Sequence, residues 1–153
     1  MADHTKNLPR NAGGMLTLNE SAANGWTNRF DIDFSHVKDA ELTTDGDTLT
    51  LKLCQLPEGV AVKAAALRVV EAFVTDGTLT ASLGSSASPA AVIAAQDIKT
   101  AGIKAPVAGF VPATAAGALV SDLVIRFATQ ASTGAISDIS AGRLAVFLQL
   151  VRC

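Results

Sequence analysis

From Thr48 to Leu53 the chain alternates strictly, with Thr48, Thr50 and Lys52 against Leu49, Leu51 and Leu53. Successive side chains of a strand point to opposite faces, so a period of two specifies a strand with one wet and one dry side. Turn chemistry brackets the run, Asp45-Gly46 before it and Pro57-Glu58-Gly59 after it. The same period returns where Phe30, Ile32 and Phe34 alternate with Asp31, Asp33 and Ser35, and again in Leu123, Ile125 and Phe127. A fold for this chain must therefore give several half-buried strands a common dry side.

The segments between these runs complete the outline. Val69, Val70 and Val74 favour a strand over residues 62–75 despite three neighbouring alanines, and Asp76-Gly77 ends it. Thr75-Asp76-Gly77-Thr78-Leu79-Thr80 echoes the block from Thr44 to Thr50, and both place Asp-Gly before a strand, which reads as repeated hairpin chemistry. Two copies fall short of a solenoid. Ser88 as an N-cap and Pro89 at the first helical position, followed by AAVIAAQDIKTA and Gly102, predict one short helix. Pro106, Gly109, Pro112 and Gly117 predict an irregular connection over 103–120, and a Ser/Thr/Gly/Asp-rich loop covers 130–142. Residues 1–28 are rich in Asn, with Gly13-Gly14 and Gly25 as breakers, and read as an extended arm. Such an arm either trails as a free tail or orders on a neighbouring subunit. The fold expected is an all-β, antiparallel β-sandwich of jelly-roll type over 29–153, with one short helix and the N-terminal arm.

The closing strand, RLAVFLQLVRC, is apolar on both sides: Leu144, Val146, Leu148 and Leu150 on one, Ala145, Phe147 and Val151 on the other. A strand dry on both faces lies under another layer or at a subunit contact. Cover by the helix and arm is one reading, and a homo-oligomer is the other.

At 153 residues the chain suits one domain with a full core and needs no metal or disulfide to hold it. Its 49% hydrophobic content comes with only 5% aromatic residues and no Tyr, so the core is built of small aliphatic pieces. That aromatic poverty counts against a sugar-binding module, whose sites recruit Tyr and Trp. A formal charge of −2 argues against a nucleic-acid partner. The polar N-terminus carries no signal-peptide pattern, no apolar run reaches the ~20 residues of a membrane span, and synthesis in a cytoplasm is expected. Cys54 and Cys153 lack any framework or zinc spacing and read as two free thiols.

The search for chemistry returns weak candidates. His4 and His36 are the two histidines, and no G-x-S-x-G elbow is present. Ser35 and Lys38 match S-x-x-K without its companion motifs, so a small hydrolase using Ser35, His36 and Lys38 is a minor alternative. Asp31 with Asp33, and Asp45 with Asp47, could pair carboxylates, but they read more simply as a wet strand face and a turn. Arg29, Arg68, Arg126 and Arg143 are scattered and read as solvated surface. No catalytic residue, cofactor-binding residue, metal ligand or cofactor is assigned.

Two stretches carry a resemblance. Residues 67–102, LRVVEAFVTDGTLTASLGSSASPAAVIAAQDIKTAG, and residues 121–152, SDLVIRFATQASTGAISDISAGRLAVFLQLVR, together resemble small β-sandwich virion proteins of tailed bacteriophages, above all head decoration or cement proteins. The resemblance implies a non-enzymatic protein on the outer capsid surface of the virion, often a trimer, bridging major capsid subunits. A tail or fibre component binding a host receptor is the alternative. The resemblance brings no site motif. Leu8, Leu16, Leu18 and Trp26 in the arm, with Phe147, are candidate partner-binding anchors because apolar and aromatic anchors dominate interfaces.

Overall fold

A computed structural model describes residues 3–9, 13–15, 27–44, 46–57, 59–110, 120–130 and 134–152. Its strands, in chain order, are β1 (Asp3–Asn7), β2 (Gly13–Met15), β3 (Asn28–Asp33), β4 (Thr48–Pro57), β5 (Val60–Val74), β6 (Leu79–Ser85), β7 (Ile93–Asp97), β8 (Gly102–Phe110), β9 (Val120–Thr129) and β10 (Ala141–Arg152). One sheet runs β1-β4-β9-β6-β7 and the other β2-β3-β10-β5-β8. From β3 to β10 the strands are dealt between two four-stranded antiparallel sheets in jelly-roll order, and β1 and β2 add one edge strand to each.

The dry sides of the alternating runs meet between the sheets. Leu49, Leu51, Ile125 and Phe127 come from one sheet, and Ile32, Leu67, Val69, Leu144 and Val146 from the other, each no more than 1% exposed. Phe73 and Phe127 meet at the centre with ring centroids 6.2 Å apart and planes tilted by 43°. Beside them, Gly142 has φ +135°, and a Cβ there would lie 2.4 Å from the Phe73 ring. Glycine lets β10 pass under that ring.

The helix stands elsewhere than the sequence predicts. Ser88, Pro89 and the alanines lead into β7, which pairs with β6, and the turn between them is closed by Ser85 and Ser88 exchanging backbone hydrogen bonds at 3.1 Å. Val92, Ile93 and Ile98 enter the core from this stretch, and pairing with β6 overrides the alanines' helical preference. A Cβ on Gly84 would meet the Ser88 carbonyl at 2.1 Å, so the tight return also depends on that glycine. The one α-helix among the described residues, α1, is a single turn at Phe34–Val37.

Two further expectations are corrected. The connection expected over 103–120 contains β8, which pairs antiparallel with β5. Pro106 is accommodated because β8 is an edge strand and its register against β5 shifts between Ala65 and Leu67. The two Asp-Gly turns are not hairpins either. Gly46 and Gly77 do take positive φ, 85° and 74°, but the first leads into β4 and the second carries the chain from β5 across to β6 in the other sheet. Turn residues fix the local backbone, while the layer reached is decided by where each apolar face finds cover.

The outer face of β10 is covered in part within the chain. Ala145 is fully buried between Asp31 of β3 and Arg68 of β5, and the Arg29 guanidinium lies 5.3 Å from the Phe147 ring centroid. Among the described residues neighbouring strands cover Ala145 fully, while Phe147 and Val151 on the same face stay half-buried.

Candidate interaction site on the arm edge

The sequence of β1, Asp-His-Thr-Lys-Asn, has no apolar residue to drive strand formation. It is extended because β4 would otherwise present an unpaired row of backbone groups at the sheet edge. β1 runs parallel to β4 with Asp3 opposite Thr48 and Asn7 opposite Lys52, and the Leu8 amide continues the ladder to the Lys52 carbonyl at 3.0 Å. The alternation of a strand then divides its side chains between two surfaces.

Asp3 and Thr5 join the outer face of the sheet. There the Arg126 guanidinium reaches the Asp3 carboxylate at 3.2 Å, and the Thr48 hydroxyl donates to Asp3 at 2.7 Å. Lys52 pairs with Asp122 at 3.2 Å on the same face. Asp3, Thr5, Lys52, Asp122 and Arg126, with Thr50, line a shallow depression of about 340 Å³ that Ser86 and Pro89 complete.

His4 and Lys6 point the other way, to Asp39 in the loop after α1. The Lys6 ammonium lies 2.8 Å from Asp39 Oδ2 and His4 Nδ1 lies 3.1 Å from the same oxygen. The other carboxylate oxygen, Oδ1, accepts the Glu41 amide at 3.0 Å and so folds its own loop. Asp39 is buried, with one oxygen for the loop and one for the arm. Chiefly because Lys6 donates to it, its carboxyl is held down at about 2, against an ordinary 3.8. Ligand atoms of His4, Asp39 and Glu41 lie within 4.8 Å of one another, close enough for a metal ion to bridge. The Lys6 ammonium already supplies the positive charge there, so the geometry is that of a clasp. Leu8 completes the attachment, half-buried against the core.

The sequence candidates fall in different places. Leu8 sits on its own sandwich and Phe147 lies half-buried under Arg29, on the other sheet's outer face, while Leu16, Leu18, Trp26, Asp45 and Cys153 lie outside the described residues. Ser35 and His36 lie in the single turn of α1, with Asp33 as its N-cap and Lys38 as its C-cap. Asp33 accepts the Ser35 amide at 2.9 Å and the Ser35 hydroxyl besides, and His36 Nδ1 accepts the Asp33 amide at 3.2 Å. That bond uses the Nδ1 lone pair, and the Ser35 hydroxyl is turned to the Asp33 carboxylate instead of the imidazole. The hydroxyl's donation holds the Asp33 carboxyl below its ordinary range. Asp31 is paired with Arg29 at 2.9 Å. Asp31, Asp33, Phe34, His36, Glu71 and Arg143 surround a second shallow depression of about 450 Å³. Asp47 is buried and accepts the Thr44 amide at 2.9 Å, a loop lock. Cys54 is half-buried, and desolvation, aided by the charge of Asp122, pushes its thiol up to about 11.

Sequence reasoning missed Asp39, together with His4 and Lys6 as its partners. One signal was present: Asp3, His4, Thr5 and Lys6 alternate in charge character at the strand period.

No protein-family model matches the sequence, and no curated protein is similar to it. Among solved structures, one described as "CBM4 structure and function" is 16% identical over 86% of this chain and 87% of its own, with a TM-score of 0.31. The structure of infectious bursal disease virus Gx strain is 12% identical over 81% of this chain and 29% of that one, with a TM-score of 0.30. Likenesses this loose bear on no functional question, and the β-sandwich assignment rests on the strand pairing itself.

Proposed function

We propose that this protein is a non-enzymatic structural component of a tailed-phage virion, a decoration or cement protein that binds the outer capsid surface and bridges major capsid subunits. The observation that carries the reading is where the resembling stretches fall. Residues 67–102 supply most of β5 with β6 and β7, and residues 121–152 supply β9 and β10. These strands pair with one another across the middle of both sheets, β10 with β5 and β9 with β6. The likeness in sequence therefore concerns one continuous framework and not two scattered motifs. Many copies of such a framework can stabilise a shell through weak, repeated contacts without one high-affinity site.

The test is the copy number of this protein in purified virions against the major capsid protein, by quantitative mass spectrometry. Hundreds of copies in simple ratio to the shell subunit are expected. A handful would assign it to the tail or a fibre, and none would overturn a virion role.

A further inference from the structure

We propose that β1 is exchanged between copies of this chain, so that residues 3–8 of one molecule occupy the β4 edge of another through the contacts described above. The proposal stands apart from the capsid reading, since it concerns the purified protein alone.

Three features support it. First, the attachment is shallow: of residues 3–8 only His4 and Leu8 are half-buried and the rest are exposed. A parallel edge pairing is also slightly weaker per residue than an antiparallel one, so the strand belongs to the low-stability end of the molecule. Second, the receptor is specific and stays in place without the strand. Asp39 is fixed by its own loop through the Glu41 amide, and Arg126 is held in β9 with Nε 3.4 Å from the Thr50 hydroxyl. A second copy's Asp3, His4, Lys6 and Leu8 meet the same groups in the same order, so exchange conserves every contact. Third, an empty β4 edge is a liability, because it exposes unpaired backbone groups and uncovers apolar surface where Leu8 had lain. An arm that leaves its own edge is replaced by the best-fitting strand nearby, and in a concentrated assembly that is the arm of a second copy. The exchange is head-to-tail, each copy giving one strand and receiving one.

The experiment uses full-length chains with Cys54→Ser and Cys153→Ser. One chain carries Thr5→Cys and another Thr50→Cys; these positions are opposite in the β1–β4 register and line the same outer depression. Co-refolded at high concentration and oxidised, the mixture can form this disulfide only between molecules. The expected result is a disulfide-linked pair at least tenfold above a control mixture of Thr5→Cys with Lys63→Cys, whose cysteine sits on the other sheet. Adding Lys6→Ala to the arm-bearing chain should lower the yield several-fold. Exchange is overturned if the mixture does not exceed the control. A chain carrying both cysteines then says why: closure within the monomer means the arm stays at home, and two free thiols mean it does not dock on β4. Either result leaves the virion copy number untouched, so the two proposals fail separately.

Discussion

β10 and β1 are both strands, and they are held by opposite means. β10 lies between β3 and β5 and places Leu144, Val146 and Leu148 in the core with no exposure at all. Burying side chains of this kind contributes roughly 1.5–3 kcal/mol each and involves no titrating group. Among the described residues β1 has one neighbouring strand, buries no side chain fully, and is fastened by a carboxylate shared between Lys6 and His4 and by the Asp3–Arg126 pair. Ion pairs whose cation is partly exposed, as Lys6 and Arg126 are, are worth about 0–1 kcal/mol apiece and weaken in salt. The first strand lies inside its sheet, and the second belongs to the low-stability end of the molecule.

That contrast is sharpest under substitution in the core. Leu144→Ala should cost about 2–5 kcal/mol in urea unfolding, because it removes a fully buried side chain and leaves a cavity. Gly142→Ala should cost about 2 kcal/mol or more, since alanine is strained at φ +135° and its Cβ collides with Phe73. If either variant unfolded at the wild-type midpoint, β10 would not be the strand that holds the sheets together.

Asp39→Ala belongs between the two regions. It strips the Glu41 amide of its acceptor and frees the arm, so about 1–3 kcal/mol is expected. Lys6→Ala loses only the arm contact and should cost about 1 kcal/mol or less, while hydrogen exchange of the β1 amides speeds up and that of β10 does not. Equal acceleration in both strands would mean that the arm is integral to the core.

Acid should release the same clasp. The Asp39 carboxyl titrates lower in the folded protein than in the unfolded chain, about 2 against 3.8. Its contribution is therefore fully present above pH 4 and is lost as the pH falls from about 4 towards 2. Exchange of the β1 amides, corrected for intrinsic rates, should rise over that window in wild type and rise less in Asp39→Asn, where the Asp3–Arg126 pair still responds to acid. The smallest effect concerns Cys54, whose raised thiol pKa predicts alkylation at pH 8 at least tenfold slower than a free thiol. Reaction at the free-thiol rate would show that β4 is more open at its centre than its pairing with β9 implies.

Much of the sandwich was legible because a strand with one buried face writes its period into the sequence. Leu49 and Leu51, Ile125 and Phe127, and Leu144 and Val146 were all assigned to dry faces, and all are buried. The errors fell where local preference and tertiary pairing disagree. Alanines after Pro89 favour a helix in isolation, yet β6 offers an unpaired edge and the core accepts Val92 and Ile93. Pro106 argues against a strand only where both edges are paired, and among the described strands β8 stands at the edge of its sheet. The arm's partner in the clasp was not legible for another reason: His4 and Asp39 are 35 residues apart, and no periodicity links an arm to a loop in a different segment.

The sequence by itself determined the strand faces, the positions of the tight turns and the aliphatic character of the core, because each depends on residues within a few positions of one another. Only the tertiary structure decided that Asp76-Gly77 crosses between sheets, that β10 lies between β3 and β5, and that Asp39 receives the arm. Those outcomes are set by which apolar faces and unpaired edges remain to be covered once the other strands are in place, and that is a property of the assembled sheets.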